Sequence, residues 1–364
     1  MASDPLFVFD GHTDVPTRLW ESACDLRTLC PDRHVDLPRL RSGGVSGLVF
    51  ALFVPAQHSP EEGLAHAETL HGLVGAQLHP GGLELAGSPE ELDEVVARGA
   101  VGVVLGLENG RPLSHPGAFE RLLAMGVRLV TLTHFGTHEW CDASTDDEVH
   151  RGLSREGEEI VRRLNRAGVV VDVSHVSDRA VEHVLAVSDA PVVASHSSAR
   201  ALCDHPRNLT DPLIRAIAER GGLVMANAFP VFIDRRAESA NRERMAHLRE
   251  PMRALAEAYA DRPGELHAAR AQLLAPYPQP QVPLSVFVDH VVHLLGVAGE
   301  RGVGIGTDFD GIPETPVGLE DVSRFTDVVA ALRERGVEEP TLRLVMGDNF
   351  RRLWREVVRR GNGT

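Results

Sequence analysis

Eight short apolar runs, each bounded by Gly, Pro or polar residues, recur along this chain of 364 residues and constrain its fold more than any other feature. Amphipathic stretches long enough for crossover helices separate them. Eight such units predict an α/β fold, a closed (β/α)₈ TIM-like barrel, rather than an open doubly wound sheet. The runs lie near residues 6–10, 47–53, 101–107, 127–133, 168–173, 191–194, 221–226 and 303–306.

Helix signals fill the gaps between the runs. Ser88, Ser177 and Thr210 each precede an amphipathic stretch and are typical helix N-caps. Two segments depart from the repeat. Residues 234–276, rich in Arg, Glu and Ala, predict a helical insertion after the seventh strand, and residues 320–360 predict two helices that complete the outer ring. The repeating helices are predicted at 61–78, 89–98, 116–125, 152–166, 178–187, 211–220 and 285–300.

Composition bounds the class of protein. At 43% hydrophobic residues the chain can bury a large core, and the lack of a linker-like segment predicts a single domain over residues 1–364. A formal net charge of -15 argues against nucleic-acid and anionic-membrane partners. No apolar run approaches the roughly 18 residues of a membrane span, and the start of the chain has no signal-peptide pattern. We therefore expect a soluble cytoplasmic protein.

Cysteine and lysine usage restrict the chemistry. The four cysteines, Cys24, Cys30, Cys141 and Cys203, are few for the length and have no CxxC spacing, so we expect reduced thiols. The chain has no Lys, and its 37 basic residues are all Arg. A Schiff base, a P-loop lysine and a carboxylated lysine are therefore excluded. Any bridge between two metal ions must be an Asp or Glu carboxylate or solvent.

Side chains that suit metal binding or acid-base chemistry stand where the apolar runs end. His12 and Asp14 are two apart on an extended segment, so they point to the same side. A single His at a strand end is more often a hydrogen-bonded packing residue than a ligand. Several such residues at successive strand ends favour a shared site, because the strands of a barrel all end at one rim and the active sites of barrel enzymes lie there. The others are Glu108, His134, His175, His196 and Asp308.

These residue types predict two metal ions. His12 and Asp14 would hold one, His175 and His196 would hold the other, and Glu108 would bridge them, which leaves open positions as in catalytic sites. Nitrogen and oxygen ligands without thiolate favour two Zn²⁺, with Mn²⁺, Co²⁺ or Fe²⁺ as substitutes. The two ions outweigh the charge of the two carboxylates, so we expect a bridging hydroxide at neutral pH.

Short motifs carry these residues. They are Asp10-Gly-His12-Thr-Asp14, Gly106-Leu-Glu108, Leu132-Thr-His134, Asp172-Val-Ser-His175, Ser195-His196-Ser-Ser198, Arg207-Asn208-Leu209 and Gly306-Thr-Asp308-Phe-Asp-Gly311. In order and spacing they resemble the membrane (renal-type) dipeptidase family of zinc peptidases, which belongs to the amidohydrolase-like barrels. The resemblance covers nearly the whole chain.

The resemblance implies hydrolysis of small dipeptides, often with tolerance for a D-residue at the carboxy-terminal position, by a homodimer. His134 would polarise the scissile carbonyl and stabilise its oxyanion, and Arg207 would clamp the terminal carboxylate of the substrate. Asp308 would take the proton of the attacking hydroxide and pass it to the leaving amine. The implied zinc ligands are His12, Asp14 and Glu108 for one ion, and Glu108, His175 and His196 for the other.

Several points stay open at the level of the sequence. Asp308 can be a metal ligand instead of a proton shuttle; beside two cations its pKa is expected to fall. Asp310 is expected to brace the turn. Residues 135–142 depart from the family pattern, so the pocket wall facing the amino-terminal side of the substrate is expected to differ. The remaining histidines, including His34, His58, His66, His71, His79, His290 and His293, are expected on the surface or in packing.

A binuclear zinc dipeptidase is the first prediction. The same site also suits another amide, such as an N-acyl amino acid or a specialised metabolite, and residues 135–142 keep this alternative open. A barrel that only binds a ligand is the third hypothesis. It predicts a missing ligand or a missing Asp308, and none of these residues is missing. The disulfides and lipid anchor of cell-surface relatives are not expected here.

Overall fold

The computed structural model describes residues 5–260 and 262–361. The strands in that part are β1 (Val8–Thr13), β2 (Val45–Phe53), β3 (Leu83–Leu85), β4 (Val101–Glu108), β5 (Val127–Thr131), β6 (Val170–Asp172), β7 (Val193–Ala194), β8 (Leu223–Ala226) and β9 (Val303–Ile305). They run parallel in the order β1-β2-β4-β5-β6-β7-β8-β9, and β3 pairs with β4 off this path. The predicted (β/α)₈ barrel is confirmed. The short strand β3 was not predicted.

The barrel closes where the chemically important ends of its first and last strands meet. The N–H of Asp308 donates to the carbonyl of His12 at 3.1 Å. The carboxylate of Asp10 adds a second link, because it accepts from the N–H of Thr307 at 2.8 Å and from its hydroxyl at 2.5 Å. Closure of the barrel therefore places His12 beside Asp308.

Helices cover the outside of the barrel. Ser88 and Ser177 cap their helices as predicted, accepting from the N–H groups of Glu91 and Ala180, whereas Thr210 makes no side-chain cap. The helices are α1 (Val15–Glu21), α2 (Leu37–Ser42), α3 (Pro60–Gly75), α4 (Pro89–Ala97), α5 (Ala118–Ala124), α6 (Arg155–Arg166), α7 (Asp178–Val187), α8 (Asp211–Glu219), α9 (Pro230–Ile233), α10 (Arg235–Ala258), α11 (Pro263–Leu274), α12 (Leu284–Ala298), α13 (Phe325–Glu334), α14 (Glu339–Arg343) and α15 (Asn349–Gly361).

The tail of the chain differs from its prediction. It forms α13, α14 and α15, and α15 packs against the barrel interior instead of completing the outer ring. Phe350, Trp354 and Val357 recur at helical spacing and belong to one buried cluster with strand residues. The ring of Phe350 stacks on that of Phe9 at 4.1 Å. Since Phe9 lies near the start of β1, α15 closes the end of the barrel opposite the rim.

The predicted helical insertion after the seventh barrel strand is formed by α10 and α11. Arg244 on α10 is buried and donates through Nη1 to Glu314 Oε1 at 2.8 Å, which ties the insertion to the loop after β9. Helix α11 leans on α1, where Nη1 of Arg18 lies 2.8 Å from the ring of His267. No residue of α11 is buried. Helix α10 is thus anchored by Arg244 and by the buried Ala237 and Leu248, whereas α11 is held more loosely.

The expectation of reduced thiols was wrong for two cysteines. Cys24 and Cys30 form a disulfide with their Cα atoms 6.2 Å apart, because the loop between α1 and α2 folds back on itself. Cys141 and Cys203 are free and buried. In the described part of the chain, no helix is both long and apolar enough to cross a membrane. The first four residues, on which part of the signal-peptide expectation rests, lie outside the described residues.

Candidate metal centre

The strand-end side chains meet at the carboxyl-terminal rim of the barrel, at a pocket of about 840 Å³. Some face the pocket and others lie beneath its surface. Those that line it are Asp14, Glu108, His134, His175 and Asp308. Those buried beneath it are His12, His196 and Arg207. The structure thus brings together every site residue predicted from the sequence.

Glu108 lies at the centre of the cluster and divides its two carboxylate oxygens between two sets of side chains. Its Oε2 lies 3.4 Å from His12 Nε2, which in turn lies 3.5 Å from Asp14 Oδ2. Its Oε1 lies 3.2 Å from His175 Nε2 and 3.6 Å from His196 Nε2. A carboxylate that bridges two cations needs this division.

The ring of His196 is oriented by a buried hydrogen-bond chain. The hydroxyl of Ser195 donates to Asp172 Oδ2 at 2.6 Å, and Nδ1 of His196 lies 2.7 Å from the same hydroxyl oxygen. The hydroxyl hydrogen of Ser195 is already donated to Asp172, so Nδ1 of His196 must be the protonated nitrogen and donate to the Ser195 oxygen. Nε2 of His196 is then unprotonated, and its lone pair is directed into the cluster around Glu108. Sequence reasoning gave Asp172 and Ser195 no role. The sequence feature that could have identified them is an Asp at the end of one strand and a Ser directly before the predicted ligand His196.

The backbone is unusual where it carries the site. His175 and Asp308 have φ angles of 69° and 67°, in the left-handed region that non-Gly residues seldom occupy. Gly311 lets the loop after β9 pass over the carboxylates, because a Cβ there would lie 2.1 Å from Asp14 Oδ2 and 2.7 Å from Asp308 Oδ1. Local strain and a glycine are thus both used to position these side chains.

The residues present fit metal ions. Neither ring nitrogen of His12 has a hydrogen-bond partner in the described part of the chain, although the residue is only 1% exposed. Nε2 of His175 and Nε2 of His196 face each other at 2.8 Å. Burial, and then repulsion by Glu108, raise the pKa of Asp14 to about 8. Buried nitrogens without partners beside crowded carboxylates are costly unless cations lie among them.

His134 faces the pocket from the end of β5. Its ring packs between Phe53, at a centroid distance of 4.7 Å, and Phe135, at 4.1 Å. Its Nε2 lies 3.8 Å from Glu108 Oε1. Burial lowers the pKa of His134 to about 4, so the ring is neutral at physiological pH. A neutral imidazole here can donate one hydrogen bond towards a substrate.

Arg207 and Asp308 flank the cluster. Arg207 donates through Nη2 to the carbonyl of His196 at 3.1 Å, while its Nε has no acceptor among the described residues. Burial lowers its pKa to about 10, so the guanidinium stays charged. Asp308 accepts from Nδ2 of Asn227 at 2.9 Å. Burial raises the pKa of Asp308 to about 6. The protein alone therefore shifts this pKa upwards, whereas two neighbouring cations are expected to lower it.

Within residues 135–142, only part of the segment faces the pocket. Phe135 lines it and is 50% exposed. His138 donates to the carbonyl of Leu132 at 2.9 Å, and the Asp142 carboxylate accepts N–H groups from residues 149, 150 and 152, so both hold the loop together.

His34, expected on the surface or in packing, also lines the pocket. The backbone N–H of His34 donates to Asp310 Oδ1 at 2.7 Å. This bond crosses from the loop before α2 to the loop after β9, so Asp310 braces the rim as expected from the sequence. Two other histidines of that set have defined contacts: His290 is buried and donates to the carbonyl of Ile233 at 3.0 Å, and Nε2 of His293 lies 2.8 Å from Asp211 Oδ1.

Known proteins share both the sequence pattern and the fold. The model of the membrane dipeptidase family, peptidase family M19, matches residues 3–363. Dipeptidase verJ of Clonostachys rogersoniana is 31% identical over 97% of this chain and 84% of its own length. The uncharacterised dipeptidase C3A11.10c of Schizosaccharomyces pombe is 30% identical over 96% of this chain and 80% of its own length.

Solved structures agree. The probable dipeptidase PvdM from Pseudomonas aeruginosa is 28% identical, with a TM-score of 0.83 over 98% of this chain and 96% of its own. A metallopeptidase from Rhodobacter sphaeroides, solved with a phosphinate mimic of L-Ala-D-Ala, shares the fold at 24% identity, with a TM-score of 0.77 over 97% of this chain and 100% of its own. The chain belongs to the membrane dipeptidase family and is a metal-dependent dipeptidase.

Proposed function

We propose that this protein is a binuclear zinc dipeptidase whose substrates include dipeptides with a D-residue at the carboxy-terminal position. One observation carries the proposal. Glu108 directs one oxygen to His12 at 3.4 Å and the other to His175 at 3.2 Å and His196 at 3.6 Å. A carboxylate divided in this way suits two ions better than one.

The ligand sets follow from this division. The two sets are His12, Asp14 and Glu108 for one ion, and Glu108, His175 and His196 for the other. When bound, Zn²⁺ would polarise the scissile carbonyl and lower the pKa of water towards about 7. Mn²⁺, Co²⁺ or Fe²⁺ suit the same nitrogen and oxygen donors. The hydrogen-bond chain from Asp172 through Ser195 keeps the lone pair of His196 directed at the site.

Three further residues would act on the substrate itself. His134 donates an N–H to the carbonyl oxygen as negative charge develops there. Arg207 offers its charged guanidinium fork to the carboxylate at the carboxy-terminal end. Asp308, which accepts from Nδ2 of Asn227 at 2.9 Å, would take the proton of the attacking hydroxide and pass it to the leaving amine. Substrate cleavage thus needs a carbonyl placed between His134 and the metal ligands.

Metal analysis and a substrate panel test the proposal. Protein dialysed against Zn²⁺ is expected to retain two ions per chain by elemental analysis, and to hydrolyse L-L and L-D dipeptides. N-acyl amino acids serve as the comparison set. Cleavage of an N-acyl amino acid without turnover of any dipeptide would contradict the substrate assignment, and retention of one ion would contradict the binuclear site.

Three further properties stay predictions from the sequence: assembly as a homodimer, a cytoplasmic location and a single domain over residues 1–364. The Cys24–Cys30 disulfide weighs against the cytoplasmic location, since disulfides persist mainly in oxidising compartments. Sedimentation equilibrium tests the dimer, and a fusion reporter that is active only in the cytoplasm tests the location.

A further inference from the structure

The pocket extends well beyond the metal centre. Its volume of about 840 Å³ is near the upper end of the range of about 300–1,000 Å³ that accommodates drug-sized ligands. A dipeptide with small side chains would leave part of it empty. The part away from the metal ligands is lined by the loop before α2, which contributes Arg33, and by α11, which contributes His267 and Arg270. Cationic side chains therefore face this part of the pocket from two elements far apart in sequence.

Arg33 is a buried cation that lacks a full set of acceptors. It is 5% exposed, and its Nη2 donates to the carbonyl of Ser22. Its Nη1 is buried and has no acceptor among the described residues. A buried guanidinium nitrogen without an acceptor is costly, so this position favours a ligand that supplies one.

Arg270 is the second cation, and it lines the same pocket. His267 and Arg270 are three residues apart on α11 and so share a helix face. Nη1 of Arg18 lies 2.8 Å from the ring of His267, which turns this face towards the pocket. Arg270 makes no hydrogen bond or ion pair with any residue that the structure describes, so its charge is available to a ligand.

Glu21 and Asp310 partly offset the effect of burial on the pKa of Arg33, but neither accepts a hydrogen bond from its Nη1. Glu21 pairs with Arg18 at 2.6 Å and lies 3.3 Å from His267. Asp310 accepts from the N–H of His34 at 2.7 Å. Asp32 also lines the pocket, but it is exposed, so water and salt screen its charge.

This cationic region is separate from the position of Arg207. Arg207 donates to the carbonyl of His196 at 3.1 Å and lies beneath the metal ligands, whereas Arg33 lines the pocket and donates to the carbonyl of Ser22. A substrate whose carboxy-terminal carboxylate binds Arg207 would therefore reach Arg33 and Arg270 with another group.

We infer that Arg33 and Arg270 form an anion subsite, which binds a carboxylate on the side chain of the amino-terminal residue of the substrate. The inference rests on the proposed dipeptidase function and on Arg207 as the clamp for the carboxy-terminal carboxylate. It names the substrate class as dipeptides that begin with an acidic residue. Charge-assisted hydrogen bonds to guanidinium groups supply the preference.

Pairs of substrates that differ only in charge test the subsite. For the zinc-loaded wild type, kcat/KM for Glu-Ala is expected to exceed that for Gln-Ala by about tenfold. Arg270→Gln and Arg33→Gln are expected to remove this difference through a higher KM for Glu-Ala, and to change kcat/KM for Gln-Ala less than about twofold. Retained turnover of Gln-Ala also demonstrates that each variant is folded.

Arg253→Gln is the matched control, because Arg253 lies on α10 of the same insertion, has a 69% exposed side chain and does not line the pocket. It is expected to keep the preference. Equal kcat/KM for Glu-Ala and Gln-Ala in the wild type would overturn the subsite alone. So would equal losses on both substrates in Arg33→Gln, or a preference for Ala-Glu over Ala-Gln in place of Glu-Ala. No turnover of any dipeptide would overturn the proposed function as well.

Discussion

The metal centre and the helical insertion face the same pocket, but the protein holds them in different ways. Glu108 and His196 stand at the ends of barrel strands and are 3% and 0% exposed, and the ring of His196 is held by the buried hydroxyl of Ser195. Helix α11 buries none of its residues and rests on α1 through the contact between Arg18 and His267. We assign the metal ions to the rigid region and part of the proposed anion subsite to the loosely held region. Substitutions in the two regions should therefore affect different measured quantities.

The largest effect is expected from Glu108→Gln. The amide keeps the shape of the side chain but removes the charge shared between the two ligand sets. Loss of a residue that only hydrogen-bonds to a metal ligand lowers metal affinity by up to about 100-fold, and Glu108 is a proposed ligand itself. Zinc affinity is therefore expected to fall by more than about 100-fold, and turnover is expected to fall with it. Elemental analysis after dialysis and dipeptide assays measure both. Glu139→Gln is the control, because Glu139 pairs with Arg111 outside the cluster; two retained ions in Glu108→Gln would contradict the bridging role.

Asp308→Asn separates proton transfer from metal binding within the rigid region. The variant is expected to retain two ions, because Asp308 is not needed in either ligand set. Its kcat is expected to fall by about 10²–10⁴-fold, the range for losing a general acid-base group. Metal content and kcat are measured on the same preparation. Loss of one ion would instead identify Asp308 as a ligand.

Ser195→Ala tests how the barrel orients a ligand. It removes the acceptor for Nδ1 of His196, which lies 2.7 Å away, so the ring loses its fixed tautomer. Zinc affinity is expected to fall by about 10–100-fold, measured by competition with a chelator. Ser198→Ala is the matched control, since Ser198 is equally buried but donates to the carbonyl of Asn227. Equal affinities in the two variants would indicate that the chain from Asp172 does not orient His196.

The smallest effect is expected from Arg244→Gln in the insertion. The change removes the bond of 2.8 Å to Glu314 that ties α10 to the loop after β9. Because this loosens only the cover of the pocket, KM is expected to rise by about three- to tenfold with metal content unchanged. Steady-state kinetics and elemental analysis measure the two quantities. A loss of metal in this variant would contradict the division between the two regions.

The rim of the barrel was predictable because most of its strands are apolar runs followed within a few residues by a polar side chain. Parallel strands bring such ends together, so His12, His175 and Asp308 could be placed without coordinates. The short strand β3 was missed because Leu83-Glu-Leu85 is too brief for a periodic signal.

Other features depend on tertiary contacts that no local pattern encodes. The Cys24–Cys30 disulfide requires a loop that folds back on itself, and its geometry appears only in the folded chain. Arg33 and Arg270 line one pocket only because α11 leans on α1. The sequence predicted the insertion after the seventh strand but not which of its helix faces lines the pocket.

Anomalous diffraction from crystals of the zinc-loaded protein, at the zinc absorption edge, tests the central claim most directly. The account predicts two peaks in each chain. One should lie against His12, Asp14 and Oε2 of Glu108, and the other against His175, His196 and Oε1 of Glu108. A single peak, or two peaks that leave Glu108 without contact to one of them, would contradict the account.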